Sequence, residues 1–407
     1  MIEKISTKQL MIGMYIHQLD RNYLETPFLK HRFLVKNPGQ ISQLQEYCQF
    51  VYIDTEKGIK PKEVPAERGQ PVPEPVKTGP VTAPPKSTHH SPAPSDLSRS
   101  YAVRNQAKAV IGNTLEDVRL GKIIDTAQVQ GAVNAIVESL MEDSEALLCL
   151  TQLKNRDEYT VTHSLNVSIL SVAFAKQLEL PVDDLQMLGL GGLMHDLGKM
   201  RVPLEILNKP GKLTEEEFTV MKNHVLLGQE VLLEAGDFPR QALAVVLQHH
   251  ERFNGKGYPY GLSQNKIDLF GRIAAIVDVY DALTSDRVYH AGMAPHEAIK
   301  KIFEWRTDFD PNLVEKFIQT IGIYPLGSLV QINHSDIGVI VSNNPEDLLK
   351  PSVLLLLDKN NHKYQPPRLI DLSQKLSDFK PLWVITKIFN SPLKEEYLTH
   401  LIQVAGV

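Results

Sequence analysis

Five histidines fall in or at the ends of otherwise apolar, helix-patterned stretches: His163, His195, His224, His249 and His250. Asp196 follows His195 directly, and Asp278 lies within "FGRIAAIVDVYDALTSD". One histidine on an apolar helix is most often a satisfied core residue. Five of them with two carboxylates read differently, because desolvating so many titratable groups without a compensating cation is expensive. A mixed imidazole and carboxylate set suits iron or manganese, with zinc, cobalt or nickel also fitting; magnesium and calcium prefer shells of oxygen alone. Two divalent ions held by neutral imidazoles and only two carboxylates keep a net positive charge. A hydroxide between them would be a nucleophile at neutral pH, and the excess charge would draw an anionic phosphate. The chemistry these residues suggest is metal-dependent hydrolysis of a phosphoester. Spacing alone does not name the ester.

The local patterns support convergence. "GGLMHDLGKM" (191–200) ends an apolar helix that begins near Leu185, and the expected helix carries His195, Asp196 and Lys199 in its last turn. At about 100° per residue, His195 and Lys199 lie one turn apart, and Asp278, Asp281 and Ser285 share one face. The adjacent pair His249–His250 cannot share a face in mid-helix, but at a helix end both rings can turn toward one centre. "HHERFNGKGYPYGL" (249–262) then adds a glycine-rich turn bearing Tyr258. Its glycines are expected to let backbone approach a bulky ligand, which Tyr258 would stack on or hydrogen-bond. The plainer reading of Gly255, Gly257 and Gly261 is a surface turn.

These residues need a scaffold, and the periodicity supplies one. From about Leu97 to Gly322 the pattern is helical: "TAQVQGAVNAIVESLMED" and "HSLNVSILSVAFAKQLEL" repeat apolar residues at three- and four-residue steps. Thr214 and Glu217 have capping-box spacing, and Pro295 marks a helix start. The expected fold is mainly α: an all-helical bundle over 97–322, preceded by a small α+β domain (1–60) and followed by a β-rich extension (323–407). In the first, "MIGMYIHQLD" and "FVYIDTEKG" read as strands around a helix in "PGQISQLQEYC"; in the last, "GSLVQINHSDIGVIVSNN" and "SVLLLLDKNN" read as strands and "LKEEYLTHLIQVA" as an amphipathic helix. Ten prolines between Pro61 and Pro94 predict a disordered linker over 61–96, where the pair His89–His90 is read as solvated rather than metal-binding.

Bulk properties exclude other classes. The 407 residues are 43% hydrophobic and 22% charged, as in globular proteins, and the net charge of -5 without a Lys/Arg cluster argues against DNA or RNA binding. Cys48 and Cys149 lack metal or disulfide spacing and fit a reducing compartment. No apolar run approaches the roughly 20 residues needed to span a bilayer, and "MIEKISTKQLMIGMYI" is too mixed for a signal-peptide core. A cytoplasmic protein without a membrane partner is expected.

The motifs together resemble the HD-GYP family, a branch of the HD metallohydrolases. "HDLGK" (195–199) is similar to its HD motif, "HHERFNGKGYP" (249–259) to its HHE…GYP signature, and "DVYDALTSDRVY" (278–289) to the motif that follows; "FDPNLVEKF" (309–317) is also shared. The match covers roughly 150–322, and the N-terminal stretch resembles a small domain of unknown function often found before HD-GYP domains. The resemblance implies hydrolysis of cyclic di-GMP to pGpG, and in some members to GMP. It implies one metal held by His163, His195, Asp196 and Asp278, with Asp196 bridging to a second held by His224, His249 and His250. Lys199 would face the reacting phosphate, Tyr258 and Arg287 the dinucleotide, and Asp281 would orient a ligand histidine. Two departures stand out. Members with three metals carry a Glu where this chain has Tyr159, and Glu158 would point about 100° away, so a two-metal centre is expected. His290 replaces a frequent basic residue, which predicts weaker or pH-dependent substrate binding. A catalytically weak receptor for cyclic di-GMP and a hydrolase of another cyclic dinucleotide are the competing readings; the filled ligand positions argue against the receptor. A homodimer and signalling partners acting through the N-terminal domain are left open.

Overall fold

In the computed structural model, which describes residues 2–21, 26, 28, 32–59, 94–153, 159–286, 292–374 and 382–389, the chain divides between His90 and Ser91 into two units. In the first, strands β1 (Ile2–Ser6), β2 (Tyr15–Leu19) and β3 (Phe33–Leu34), helix α1 (Pro38–Tyr47) and strand β4 (Phe50–Asp54) follow one another. The strands pair antiparallel in the order β1-β4-β2-β3. Alternation decides which face of β4 is covered: Val51 and Ile53 are fully buried with Ile16 and Leu44, while their neighbours are not. Asn37 caps α1 by accepting from the Gln40 amide, with Pro38 at the first helical position.

The second unit is built from helices. In chain order they are α2 (Pro94–Arg119), α3 (Thr126–Glu142), α4 (Ser144–Leu150), α5 (Tyr159–Gln177), α6 (Val182–Met194), α7 (Leu204–Leu207), α8 (Glu215–Lys222), α9 (His224–Glu234), α10 (Arg240–Gln248), α11 (Leu269–Thr284), α12 (Pro295–Glu304) and α13 (Pro311–Ile321). Helix α5 is the axis. Its residues from Thr162 to Ala175 are buried on every side, as their small and apolar side chains allow. Helices α6, α11 and α2 pack on it, and α10 bridges α6 and α11. The predicted capping box forms at α8: the Glu217 amide donates to Thr214 Oγ1 at 3.2 Å, and the Thr214 amide donates back to Glu217 Oε2 at 2.7 Å.

After α13 come β5 (Leu329–Ile332), β6 (Asp336–Ser342), β7 (Ser352–Leu357), β8 (Lys363–Asp371) and β9 (Ile385–Ile388), an antiparallel sheet ordered β8-β7-β6-β5-β9. Glu145 of α4 ties this sheet to the bundle, accepting from Ser342 Oγ at 3.0 Å and from the Asn343 amide at 3.1 Å. No helix of the described residues is long and apolar enough to cross a membrane. Cys48 and Cys149 are buried free thiols. The Pro-rich segment around His89–His90 and the expected helix in "LKEEYLTHLIQVA" lie outside the described residues.

One expectation is corrected. The helix that begins before Leu185 does not carry His195, Asp196 and Lys199 in one regular last turn. Helix α6 stops at Met194, His195 is its C-cap, and Leu197–Arg201 form a tighter 3-10 turn after Asp196, whose ψ is 6°. The cause is close packing: a Cβ on Gly198 would overlap the His224 carbonyl oxygen and the Gly228 amide. The turn therefore lies directly on α9, and only glycine permits that approach.

Candidate metal centre

Five elements deliver the predicted residues to one place. Helix α5 carries His163, the end of α6 gives His195 and Asp196, α9 begins at His224, α10 is capped by His249 with His250 next, and α11 carries Asp278 and Asp281. The helix-end position works for the adjacent pair: both His249 and His250 reach the same cluster as Asp196 and His224. A second group unites His163, His195 and Asp196.

Asp196 faces both groups, one oxygen to each. Its Oδ2 lies 3.2 Å from His195 Nε2 and 3.7 Å from His163 Nε2. Its Oδ1 lies 3.4 Å from His224 Nε2 and 3.9 Å from His249 Nε2. Asp278 joins the group of His163 and His195, with Oδ1 3.1 Å from His163 Nε2 and 3.8 Å from His195 Nε2, and turns Oδ2 toward His250 Nδ1 at 3.9 Å. Donor atoms bonded at about 2.1 Å to one ion sit about 3 to 3.5 Å apart, close to these separations.

The other ring nitrogens are engaged. His163 Nδ1 meets Asp281 Oδ2 at 2.8 Å; His195 Nδ1 meets the Gly192 carbonyl at 2.8 Å; His224 Nδ1 meets the Met221 carbonyl at 2.8 Å; His249 Nδ1 meets the Val246 carbonyl at 2.9 Å. A carbonyl or carboxylate oxygen can only accept, so each of these Nδ1 atoms carries a proton, and a ring that is neutral then points a bare Nε2 inward. His195 Nε2 and Asp196 Oδ1 are buried without a hydrogen-bond partner among the described residues. Buried polar atoms rarely stay unsatisfied, and two of them within one His/Asp cluster are what a cation fits.

The electrostatics fit the same reading. Burial holds His224 down at about 4 and His249 at about 3, and it also carries His250 well below the usual histidine range. These rings stay neutral, the form that binds metal. Burial also disfavours charge on His163, but its hydrogen bonds to Asp278 and Asp281 outweigh it and bring the ring up to about 9. Burial raises Asp196 and Asp278, yet surrounding cationic groups and hydrogen bonds overcome it and hold both well below the usual carboxylate range. Lys199 Nζ lies 2.5 Å from Asp196 Oδ2, so its ammonium stands at the edge of the cluster.

Around the centre, Tyr258 stacks on His250 with centroids 4.6 Å apart. Ser285 donates to Asp281 Oδ2 at 3.2 Å, so the face predicted on α11 is used. Tyr159 stacks on His163 at 5.4 Å with an 8° interplanar angle. The expectation for the glycines needs correction at Gly257: its bare Cα lets the loop fold back on His250, Glu251 and Arg252, where a Cβ would strike their backbone. It serves the chain's own packing, not a ligand. Arg287, Glu158 and His290 lie outside the described residues.

Sequence reasoning missed the residues that hold this frame. Glu251, 1% exposed, accepts from the Tyr260 amide at 2.8 Å and the Leu262 amide at 2.9 Å, pinning the loop that presents Tyr258. Asn166 donates to Asp281 Oδ1 at 2.9 Å and to the Thr151 carbonyl at 3.1 Å. Asn166 lies three residues after His163 on α5, on the same side of the helix.

The chain is similar to known proteins over most of its length. Residues 138–313 match the HD domain family, 2–129 a domain of unknown function (DUF3391), and 329–380 a KOW domain associated with HD domains. Over 377 residues the chain is 37% identical to the cyclic di-GMP phosphodiesterase PA4108 of Pseudomonas aeruginosa, covering 92% of this chain and 90% of that one. It is 36% identical over 169 residues to the cyclic di-GMP phosphodiesterase response regulator RpfG of Xanthomonas campestris, 41% of this chain and 45% of that. It is 39% identical over 173 residues to the 3'3'-cGAMP-specific phosphodiesterase 1 of Vibrio cholerae, 40% of this chain and 37% of that.

Proposed function

The chain belongs to the HD-GYP family of HD-domain phosphodiesterases, in the form that carries the DUF3391 domain ahead of it, and on that premise we propose that it hydrolyses cyclic di-GMP to linear pGpG at a two-metal centre. The observation that carries the chemistry is the two-sided Asp196, one oxygen facing each group of histidines. His163, His195, Asp196 and Asp278 would hold one ion, and Asp196 with His224, His249 and His250 the other; Tyr159 supplies no ligand for a third. The donor set favours iron or manganese. When bound, such ions supply Lewis acidity toward a phosphate oxygen and bring the pKa of water toward neutrality.

The chain's own groups do the rest. Water adds across one P–O3′ bond: its oxygen joins phosphorus and releases a proton to solvent, the 3′-oxygen leaves and takes up a proton, and the donor of that proton regains one from solvent. Lys199, fixed beside Asp196, is placed to neutralise charge on the phosphate and to give that proton from Nζ. Tyr258, clamped between His250 and the Glu251-pinned loop, positions the substrate. Arg287 is assigned to the dinucleotide by its place in the motif. Asp281 fixes the tautomer and direction of His163.

The substrate rests on the relatives. A second reading, hydrolysis of a mixed cyclic dinucleotide, is favoured by the likeness to the cGAMP-specific enzyme. The test is direct: the full chain, loaded with iron or with manganese, is incubated with cyclic di-GMP and with 3'3'-cGAMP, and products are followed by chromatography. Accumulation of pGpG from cyclic di-GMP at the higher kcat/KM supports the proposal. Binding without turnover under both metals, or faster hydrolysis of the mixed dinucleotide, overturns it.

A further inference from the structure

A row of rings leads away from the metal centre. His250 stacks on Tyr258, and Tyr258 meets Phe218 of α8 edge-on with centroids 6.2 Å apart. One turn after Phe218, Lys222 holds its ammonium 5.2 Å from the Phe218 centroid and 5.9 Å from that of Tyr258. Neither residue serves the core, since α8 has no buried residue and Phe218 is 46% exposed. Lys222 has no ion pair among the described residues, although acidic residues crowd the start of its helix. An open aromatic ring and an unpaired ammonium are thus held together one ring beyond Tyr258. Neither lies in the motifs quoted above for the family.

We infer that Phe218 and Lys222 form a guanine subsite, in which one base of the cyclic dinucleotide stacks on Phe218 and offers its O6/N7 edge to Lys222. The inference rests on the reading of the centre as a cyclic-dinucleotide hydrolase and names a source of its base preference. The order of the row matches the order of groups in a nucleotide: phosphate at the histidines, sugar beside Tyr258, base further out. Stacking on an aromatic ring favours any base, because every base has a π-face. Lys222 adds the discrimination. Guanine presents two acceptors on that edge, whereas adenine puts an amino donor where guanine has O6, and an ammonium has only donors to offer. Phe218 therefore sets affinity and Lys222 sets guanine over adenine.

Steady-state kinetics of the metal-loaded full chain test the assignment. Phe218→Ala raises KM for cyclic di-GMP about tenfold, with kcat within about twofold and the metal content per chain unchanged. Phe218→Trp, which keeps a stacking ring, returns KM to near the unsubstituted value. Lys222→Met raises KM for cyclic di-GMP about tenfold and leaves the inhibition constant of cyclic di-AMP unchanged, so the preference narrows by the same factor. An unchanged KM in Phe218→Ala or Lys222→Met overturns the subsite. So does equal weakening of both nucleotides by Lys222→Met, or a joint loss of metal and kcat. If the unsubstituted enzyme does not turn over cyclic di-GMP, the functional reading fails, and calorimetric binding of cyclic di-GMP to the same variants decides the subsite by the same fold-changes.

Discussion

Asp281 touches no reacting group in this account, yet it determines what His163 can be. Its Oδ2 accepts from His163 Nδ1 at 2.8 Å while Asn166 donates to its Oδ1 at 2.9 Å. Removing such an orienting partner typically weakens metal binding about 10- to 100-fold. Asp281→Asn is accordingly expected to lower affinity for one ion of the two, read as a split in metal-titration calorimetry; two unaltered sites would refute the role. Lys199 differs because it is no ligand. Lys199→Ala keeps both ions by elemental analysis while kcat falls by about 10²- to 10⁴-fold, and loss of metal would contradict its placement. The seven clustered residues were legible because charge burial makes so many polar groups in apolar helices implausible as core. Asn166 was not: one buried amide in an apolar helix carries no spacing that separates it from a helix-helix hydrogen bond.

Elements decide whether these residues meet. The link between α4 and the C-terminal sheet passes through Glu145, whose carboxyl burial pushes up to about 7, against the lowering pull of the Asn343 amide and the Ser342 hydroxyl and with Asp143 nearby adding to the rise. In the unfolded chain it titrates near about 4.3. Between those values the native state keeps a proton that the unfolded state has lost, so the contribution is full at low pH and is lost as pH rises toward 7. Glu145→Gln keeps an acceptor for both bonds without the charge. Its Tm is expected to exceed that of the unsubstituted chain at pH 8 by on the order of 2 °C, with the gap closing by about pH 4.5; a gap independent of pH would count against the link. At this scale the helices and the capping box could be read from periodicity, but β8 could not. "KYQPPRLID" contains Pro366 and Pro367, which break a strand pattern, and it is a strand because it lies at the sheet edge, where a missing N–H is tolerated. The end of α6 was misread for a similar reason. Nothing in "HDLGKM" announces that Gly198 must press against the backbone of α9, a contact made by residues 26 and more positions away in sequence.

Over the whole molecule, a centre whose proposed ligands come from five separate elements makes metal binding and folding one equilibrium. Ions that bind only the folded arrangement stabilise it by mass action. Treatment with chelator is expected to lower the Tm of the chain by several degrees, and re-addition of manganese or iron(II) to restore it; a Tm indifferent to chelation would mean that the cluster holds no ion. Membership of the HD-GYP family was visible from three motifs, while the guanine-facing pair on α8 was not, since Phe218 and Lys222 meet Tyr258 only through the fold. The most direct test of the central claim, that Asp196 joins two ions into one hydrolytic centre, is elemental analysis of the anaerobically purified chain beside Asp196→Ala, with pGpG formation measured on the same samples. The account predicts two ions per chain and pGpG from the first, and loss of both ions and of product from the second. Retention of two ions by Asp196→Ala would contradict it.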